Sequence, residues 1–170
     1  LIAGGGPVGM TLALELARHG IASIVVERNR STTRHPKMDL TNGRSMELYR
    51  RLGISDRLRS VGVPEESPFD IMWATSPTGV LLHNFKYPSA RDRHNEMYEA
   101  NNGTGTAEAG LRISQIVLEP VLRQAIDENS LVDVRFGWKF HDLQQDEDGV
   151  TSSIISEETG ETAEIRSLFL

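Results

Sequence analysis

The chain opens on three apolar residues, Leu1-Ile2-Ala3, that run directly into Gly4-Gly5-Gly6-Pro7-Val8-Gly9. Glycines spaced G-x-G-x-x-G at the end of an apolar run are compatible with few folds. Gly4 allows a tight turn, Gly6 lets the backbone approach a ligand, and Gly9 lets a helix lie close on the preceding strand. A helix is expected from Pro7 to Arg18, with an apolar stripe through Val8, Leu12, Ala13 and Leu16 and a stop at Gly20. A second apolar run, Ile21 to Val26, then closes on Glu27. The bare N–H groups of the first helical turn suit a pyrophosphate. An acid about twenty residues past the glycines suits the hydroxyls of a ribose. Strand, turn, helix, strand and acid in register predict the first βαβ unit of a Rossmann-like α/β fold that takes an ADP-containing cofactor. The plainer reading of Glu27 is a solvated strand end.

Both ends of the chain lie inside apolar runs. Only three residues precede the glycines, whereas a strand typically has about five or six. There is no initial Met, and Ile165 to Leu170 has no closing polar segment. These features predict a fragment, truncated at both ends, of a longer protein.

The 170 residues are 38% apolar and 25% charged, ordinary for a globular fold with a real core. No stretch reaches the about 20 apolar residues of a membrane span, so no membrane partner is expected. With no cysteine there is no disulfide framework or thiol nucleophile, which suits the cytoplasm. The net charge of −6 is uneven, because residues 1–60 carry ten Lys/Arg against five Asp/Glu. A basic first part suits a pyrophosphate ligand, and the acidic remainder argues against nucleic acid.

Further along, Arg28 to Thr41 reads as a basic loop. Helices are expected near Asn42 to Leu52, with Met46, Leu48, Tyr49 and Leu52 apolar, and from Ser55 to Ser60. Phe69 to Thr75 and Val80 to Tyr87 read as strands joined by the turn Ser76-Pro77-Thr78-Gly79, an antiparallel hairpin outside the parallel sheet. Ser89 to Gly110 is polar and predicts a long mobile loop. Ser114 reads as the cap of a helix from Gln115 to about Asn129, which Pro120 should bend or loosen. Strands over Val132 to Phe136, Trp138 to Gln145, Val150 to Ser156 and Glu161 to Leu170 predict a β-meander after that helix, with polar turns at 146–149 and 157–160.

This constellation resembles the N-terminal part of the group A FAD-dependent flavoprotein monooxygenases, the aromatic-hydroxylase family. The resemblance covers nearly the whole chain. It rests on Gly4 to Glu27, on His35-Pro36-Lys37 leading into Asn42 to Gly53, and on Arg112-Ile113-Ser114-Gln115 followed by Leu118-Glu119-Pro120-Val121-Leu122. It implies FAD as cofactor and NAD(P)H as transient reductant, with O2 and a small phenol-like aromatic as substrates. It also implies an FAD-binding part over residues 1–68, a hairpin and loop beginning the substrate domain over 69–111, and a return helix and meander over 112–170. Cofactor-binding residues are then Gly4, Gly6, Pro7, Val8, Gly9, Glu27, Arg28, Lys37, Arg112 and Gln115, with Gln115 reaching the flavin. Lys37 departs from the Arg of many members, and a point charge replaces a bidentate fork. The family's Asp-Gly motif followed shortly by Ser and Arg would begin after Leu170, and neither it nor the later Gly-Asp motif is present in these residues. Taken alone, the fragment is expected to be inactive, and no catalytic residue is assigned.

Other readings stay open. A NAD-dependent dehydrogenase would share the first βαβ unit, and the chain could be a non-catalytic remnant. Lys37 is either a surface lysine or a phosphate contact, Arg44 reads as helix surface, and Gln115 by itself reads as a helix-start residue. Ser114 has no His or acid at a triad spacing. The five histidines are scattered, and the Asp146 to Asp148 turn lacks the spacing of a calcium loop, so no metal site is expected. Trp73 and Trp138 read as core or interface residues.

Overall fold

A computed structural model describes residues 1–170. In chain order the elements are β1 (Ile2–Ala3), α1 (Pro7–Arg18), β2 (Ser23–Glu27), β3 (Leu40–Thr41), α2 (Gly43–Arg51), α3 (Ser55–Val61), β4 (Ile71–Ala74), β5 (Leu81–Phe85), α4 (Ala90–Ala100), β6 (Leu111–Arg112), α5 (Gln115–Asp127), β7 (Val132–Phe136), β8 (Trp138–Asp146), β9 (Gly149–Ser156) and β10 (Thr162–Ser167). They form two compact units, residues 1–36 with 115–170, and residues 37–114.

In the first unit, β1, β2 and β7 make a parallel sheet with β2 in the centre. Val25 lies opposite both Ile2 and Val134. Helix α1 joins β1 to β2 and packs on β2 and α5. Its buried face is Met10, Ala13, Leu14 and Ala17. Ala13 is buried as the expected stripe has it, but the stripe is corrected at Val8 and Leu12, which are 84% and 46% exposed. Both sets repeat at helical spacing, so periodicity alone cannot choose between them. The close seating of Gly9 on the turn sets the rotation of the helix and turns Met10 inward.

The final sheet also needs a correction. Val132–Phe136 is not the first strand of the meander but β7, paired in parallel with β2 from Ser23 to Glu27. Helix α5 is therefore a crossover connection back into the parallel sheet, and it runs as one helix through Pro120. A short alternating run looks the same in either sheet, and only the distant partner β2 decides. The meander proper is β8, β9 and β10, antiparallel in the order β10-β9-β8. The last strand ends at Ser167 rather than Leu170.

Along β9, Val150, Ser152, Ile154 and Ser156 are buried in strict alternation. Ile154 and Ile165 pack with Val26 of β2, and Trp138, Phe140 and Ile24 close over them. Burial of a side chain like Ile154 contributes about 1.5–3 kcal/mol, so this cluster fastens the meander to the parallel sheet.

The second unit comprises residues 37–114. Asn42 caps α2, its side chain accepting from Ser45 N at 2.8 Å, and Met46, Tyr49 and Leu58 form apolar contacts inside. A two-residue ladder, β3 with β6, ties Leu40 to Arg112. β4 and β5 form the expected antiparallel hairpin, closed by Thr75 N donating to Val80 O at 3.1 Å. Ser89 to Gly110 is not a plain loop. Ser89 and Asp92 form a reciprocal capping box that starts helix α4, and Asn101 in the left-handed region (φ 36°) ends it. The Ser-x-x-Asp signal was present in the sequence. It was masked because α4 has almost no apolar face, with Ala90 its only buried residue.

Candidate cofactor site

The turn between β1 and α1 is built from four glycines, and each meets a different constraint. Gly4 has φ 118°, a conformation that side-chain-bearing residues rarely adopt. Its N–H donates to Val26 O at 2.8 Å, so the turn begins while β1 is still paired. A Cβ on Gly9 would lie 2.0 Å from Gly4 O, which is how closely α1 sits on the turn. A Cβ on Gly5 would lie 2.8 Å from Cβ of Glu27. A Cβ on Gly6 would meet nothing within 4 Å.

That open side of Gly6 adjoins the first turn of α1. No side chain caps this helix, and Gly6 itself is the N-cap residue. Bare N–H groups at a helix start with the helix dipole behind them favour an anion. Pro7 at the first position removes a donor that the helix would not use. A shallow groove of about 490 Å³, lined by Gly4, Gly6, Pro7, Val8, Gly9 and Leu12 among others, runs along this side. The residues fit the diphosphate and ribose part of FAD: an open backbone cradle, uncapped donors and an acid at the end of the next strand.

Glu27 stands at that strand end, half-buried. Its Oε2 accepts from Gly5 N at 2.9 Å, and its Oε1 accepts from Asn29 N at 2.8 Å and Asn29 Nδ2 at 2.6 Å. The carboxylate thereby joins the glycine turn to the strand's exit. Three of its about four acceptor positions are used, and a ribose hydroxyl would take the remaining one or share with Asn29. Gly5 is the residue that the spacing rule passed over. The signal was the third consecutive glycine, whose missing side chain makes room for Glu27.

Gln115 opens α5 and is 8% exposed. Its Nε2 donates to Oε1 of Glu119 at 2.6 Å, one turn along. Glu119 is 3% exposed, and its Oε2 accepts from Thr33 N at 2.6 Å. Sequence reasoning quoted Glu119 only as part of a motif. The i,i+4 spacing of Gln115 and Glu119 was the available signal.

Arg28 is exposed in the loop after Glu27. Lys37 and Arg112 fall in the second unit, where Lys37 is exposed. Arg112 stacks on Phe69 with its guanidinium 5.1 Å from the ring centroid, and its Nε is buried without a hydrogen-bond partner. An orphaned buried donor of this kind is ready for an acceptor. Arg44 pairs with Glu47 at 2.8 Å on the surface of α2, as its helix-surface reading implies.

Comparison with known proteins bears on the chain as a whole. The FAD binding domain family matches residues 1–170. An FAD-dependent monooxygenase of Emericella nidulans is 40% identical over all of this chain and 27% of its own length. A phenol 2-monooxygenase of a Pseudomonas species is 28% identical, again over all of this chain and 27% of its own. Among solved structures, the flavin-dependent monooxygenase PieE in complex with FAD and substrate superposes with a TM-score of 0.84 at 33% identity, covering 98% of this chain and 28% of that one. The chain thus spans about a quarter of the length of the curated relatives it matches. The dehydrogenase alternative finds no support in these matches. From its glycine turn to its meander, the chain belongs to the FAD binding domain family, that of the flavoprotein monooxygenases.

Proposed function

We propose that the protein carrying this chain is an FAD-dependent monooxygenase that hydroxylates a phenol-like aromatic with O2, using NAD(P)H as reductant. The observation that carries this reading is the glycine turn with Glu27 hydrogen-bonded to it, in a chain whose relatives include a phenol 2-monooxygenase and a 2,4-dichlorophenol 6-monooxygenase. Bound FAD supplies the redox chemistry, and this chain's residues bind and orient it. Gly4, Gly6, Pro7, Val8 and Gly9 present backbone to the diphosphate, and Glu27 accepts from the adenosine ribose. Arg28 and Lys37 add positive charge. Arg112 and Gln115 serve the flavin end, where the orphaned Arg112 Nε supports an acceptor contact.

Residues 1–68 and 112–170 then form the FAD-binding part, and 69–111 begin a substrate-side domain. A cytoplasmic setting goes with this reading, since the chain has no cysteine and no helix long and apolar enough to cross a membrane.

The test is to purify the protein and measure its bound flavin, then NAD(P)H oxidation with a panel of phenols, with the products identified by mass. A yellow protein that adds one oxygen atom to a phenol is the expected result. NAD(P)H oxidation that yields only peroxide with every phenol would overturn the substrate class. A colourless protein that binds NAD would overturn the cofactor reading itself.

A further inference from the structure

Residues 37–114 carry a cavity of about 560 Å³, within the about 300–1,000 Å³ of small-ligand pockets. Its wall is mostly apolar: Leu40 from β3, Phe69 and Ile71 at the start of the hairpin, Tyr87 and Pro88 at its end, and Ala90 from α4. No acid lines it. Two arginines do, and they differ. Arg93 is paired with Glu96 at 3.0 Å. Arg112 has no carboxylate partner, although Arg59 and Lys86 in the same unit pair with Glu108 at 2.7 Å and Asp70 at 2.9 Å.

The Arg112 side chain is half-buried, and its Nε has no hydrogen-bond partner. The Phe69 ring, with its centroid 5.1 Å from the guanidinium carbon, offsets part of the lost hydration. It does not replace an oxygen acceptor. A cation withdrawn from water is costly unless an anion meets it. Asn42 and Ser89, also on the wall, supply no such contact, since their side-chain oxygens cap α2 and α4.

We propose that this cavity takes the substrate ring, and that the substrate is an aromatic acid whose carboxylate pairs with Arg112. This deepens the monooxygenase reading and rests on its placing Arg112 at the flavin end. A phenol alone does not answer the charge, because its hydroxyl, like that of tyrosine, ionises at about pH 10. A carboxylate is ionised at neutral pH and matches the planar guanidinium with two parallel hydrogen bonds. The guanidinium has further N–H donors, which remain for the flavin. Phe69, Ile71 and Tyr87 cover the ring and limit its size.

The test uses the FAD holoprotein and two matched probes, 4-hydroxybenzoate and 4-hydroxybenzamide, which share ring and shape and differ in charge. Titration calorimetry reads both dissociation constants. The acid is expected to bind about tenfold or more tighter than the amide, as a charge-assisted pair implies. Arg112→Met should bring the two affinities together, chiefly by weakening the acid. Ile71→Trp, which fills the cavity and leaves Arg112 in place, should weaken acid and amide alike. Equal affinities in the wild type, or no binding of either probe, would overturn the proposal. So would a preference for the acid that survives in Arg112→Met, or acid binding that Ile71→Trp leaves intact. If Arg112→Met does not fold, the wild-type ratio and Ile71→Trp still decide. The monooxygenase reading fails separately, as wild-type protein that takes up no flavin or oxidises no NAD(P)H.

Discussion

The βαβ turn and the β4–β5 hairpin are both rich in apolar residues, and they use them in opposite ways. In β2, Val25 and Val26 are 0% and 1% exposed, covered by α1 on one side and by the meander cluster on the other. In the hairpin, Met72, Trp73, Leu81 and Leu82 are all more than half exposed. Its strands are closed by polar contacts: Asp70 accepts from Asn84 Nδ2 at 3.1 Å and Tyr87 N at 3.2 Å and pairs with Lys86 at 2.9 Å. An apolar strand thus identifies a surface that packs without identifying what packs on it. In the first unit the covering elements lie within these 170 residues. In the hairpin the exposed apolar side chains fall on both faces of the ribbon, since Met72 and Trp73 are consecutive in β4 and Leu81 and Leu82 in β5.

The sharpest way to break the comparison is at Gly9. A Cβ there collides with backbone, which has no flexible end to move aside. Gly9→Ala should destabilise the first unit by about 3 kcal/mol, the upper end for overpacking, and abolish flavin retention. Thermal unfolding and flavin content check this, and a variant that melts normally and stays yellow would refute the tight seating of α1.

The two tryptophans give the next largest contrast. Trp138 closes over the Val26, Ile154 and Ile165 cluster, so Trp138→Ala should cost about 2 kcal/mol, less than for a fully buried aromatic. Trp73, 61% exposed, should change stability by no more than about 0.5 kcal/mol when replaced by Ala. Denaturant melts of both variants decide it. Equal losses would show that something covers the hairpin in solution.

At the turn, Glu27→Gln keeps the shape but loses a charge-assisted acceptor for Gly5 and for the ribose. FAD binding should weaken by about 1.5–3 kcal/mol. Titration calorimetry on the flavin-stripped protein measures it, and an unchanged affinity would remove Glu27 from the site.

The smallest effect belongs to the hairpin. Lys86 beside Asp70, with the donors Tyr87 N and Asn84, holds this carboxyl below its usual 3.8. A depressed folded value means that the contribution is full above pH 3.8 and fades as the pH falls through the lower folded value. The protection of the β4–β5 amides, relative to the intrinsic exchange rate at each pH, should fall in that acid window and stay level between pH 5 and 8. Asp70→Asn should remove the acid dependence, and a hairpin equally protected at both ends of the window would contradict this role.

Much of the geometry of the candidate cofactor site was legible in the sequence because its constraints are local. Gly4 needs its φ, Gly6 needs open space, and Glu27 must end the strand after α1, all within 27 residues. The hairpin was legible for the same reason, its turn and both strands being contiguous. What the sequence alone left undecided depended on packing rather than on period. Two stripes on α1 had the same period, and the approach of Gly9 to Gly4 O chose between them. The run Val132–Phe136 alternates like a meander strand, but β2, more than a hundred residues earlier, takes it into the parallel sheet. Helix α4 carried its capping box in plain view, but without an apolar face its period was silent. Gln115 is the helix-start residue that the sequence showed, and its contact with Glu119 comes from the structure. Residue type and short-range spacing therefore determined the turn chemistry and the family. Helix rotation and sheet membership were settled only in the tertiary structure, because each is chosen by packing contacts that no periodic pattern can name.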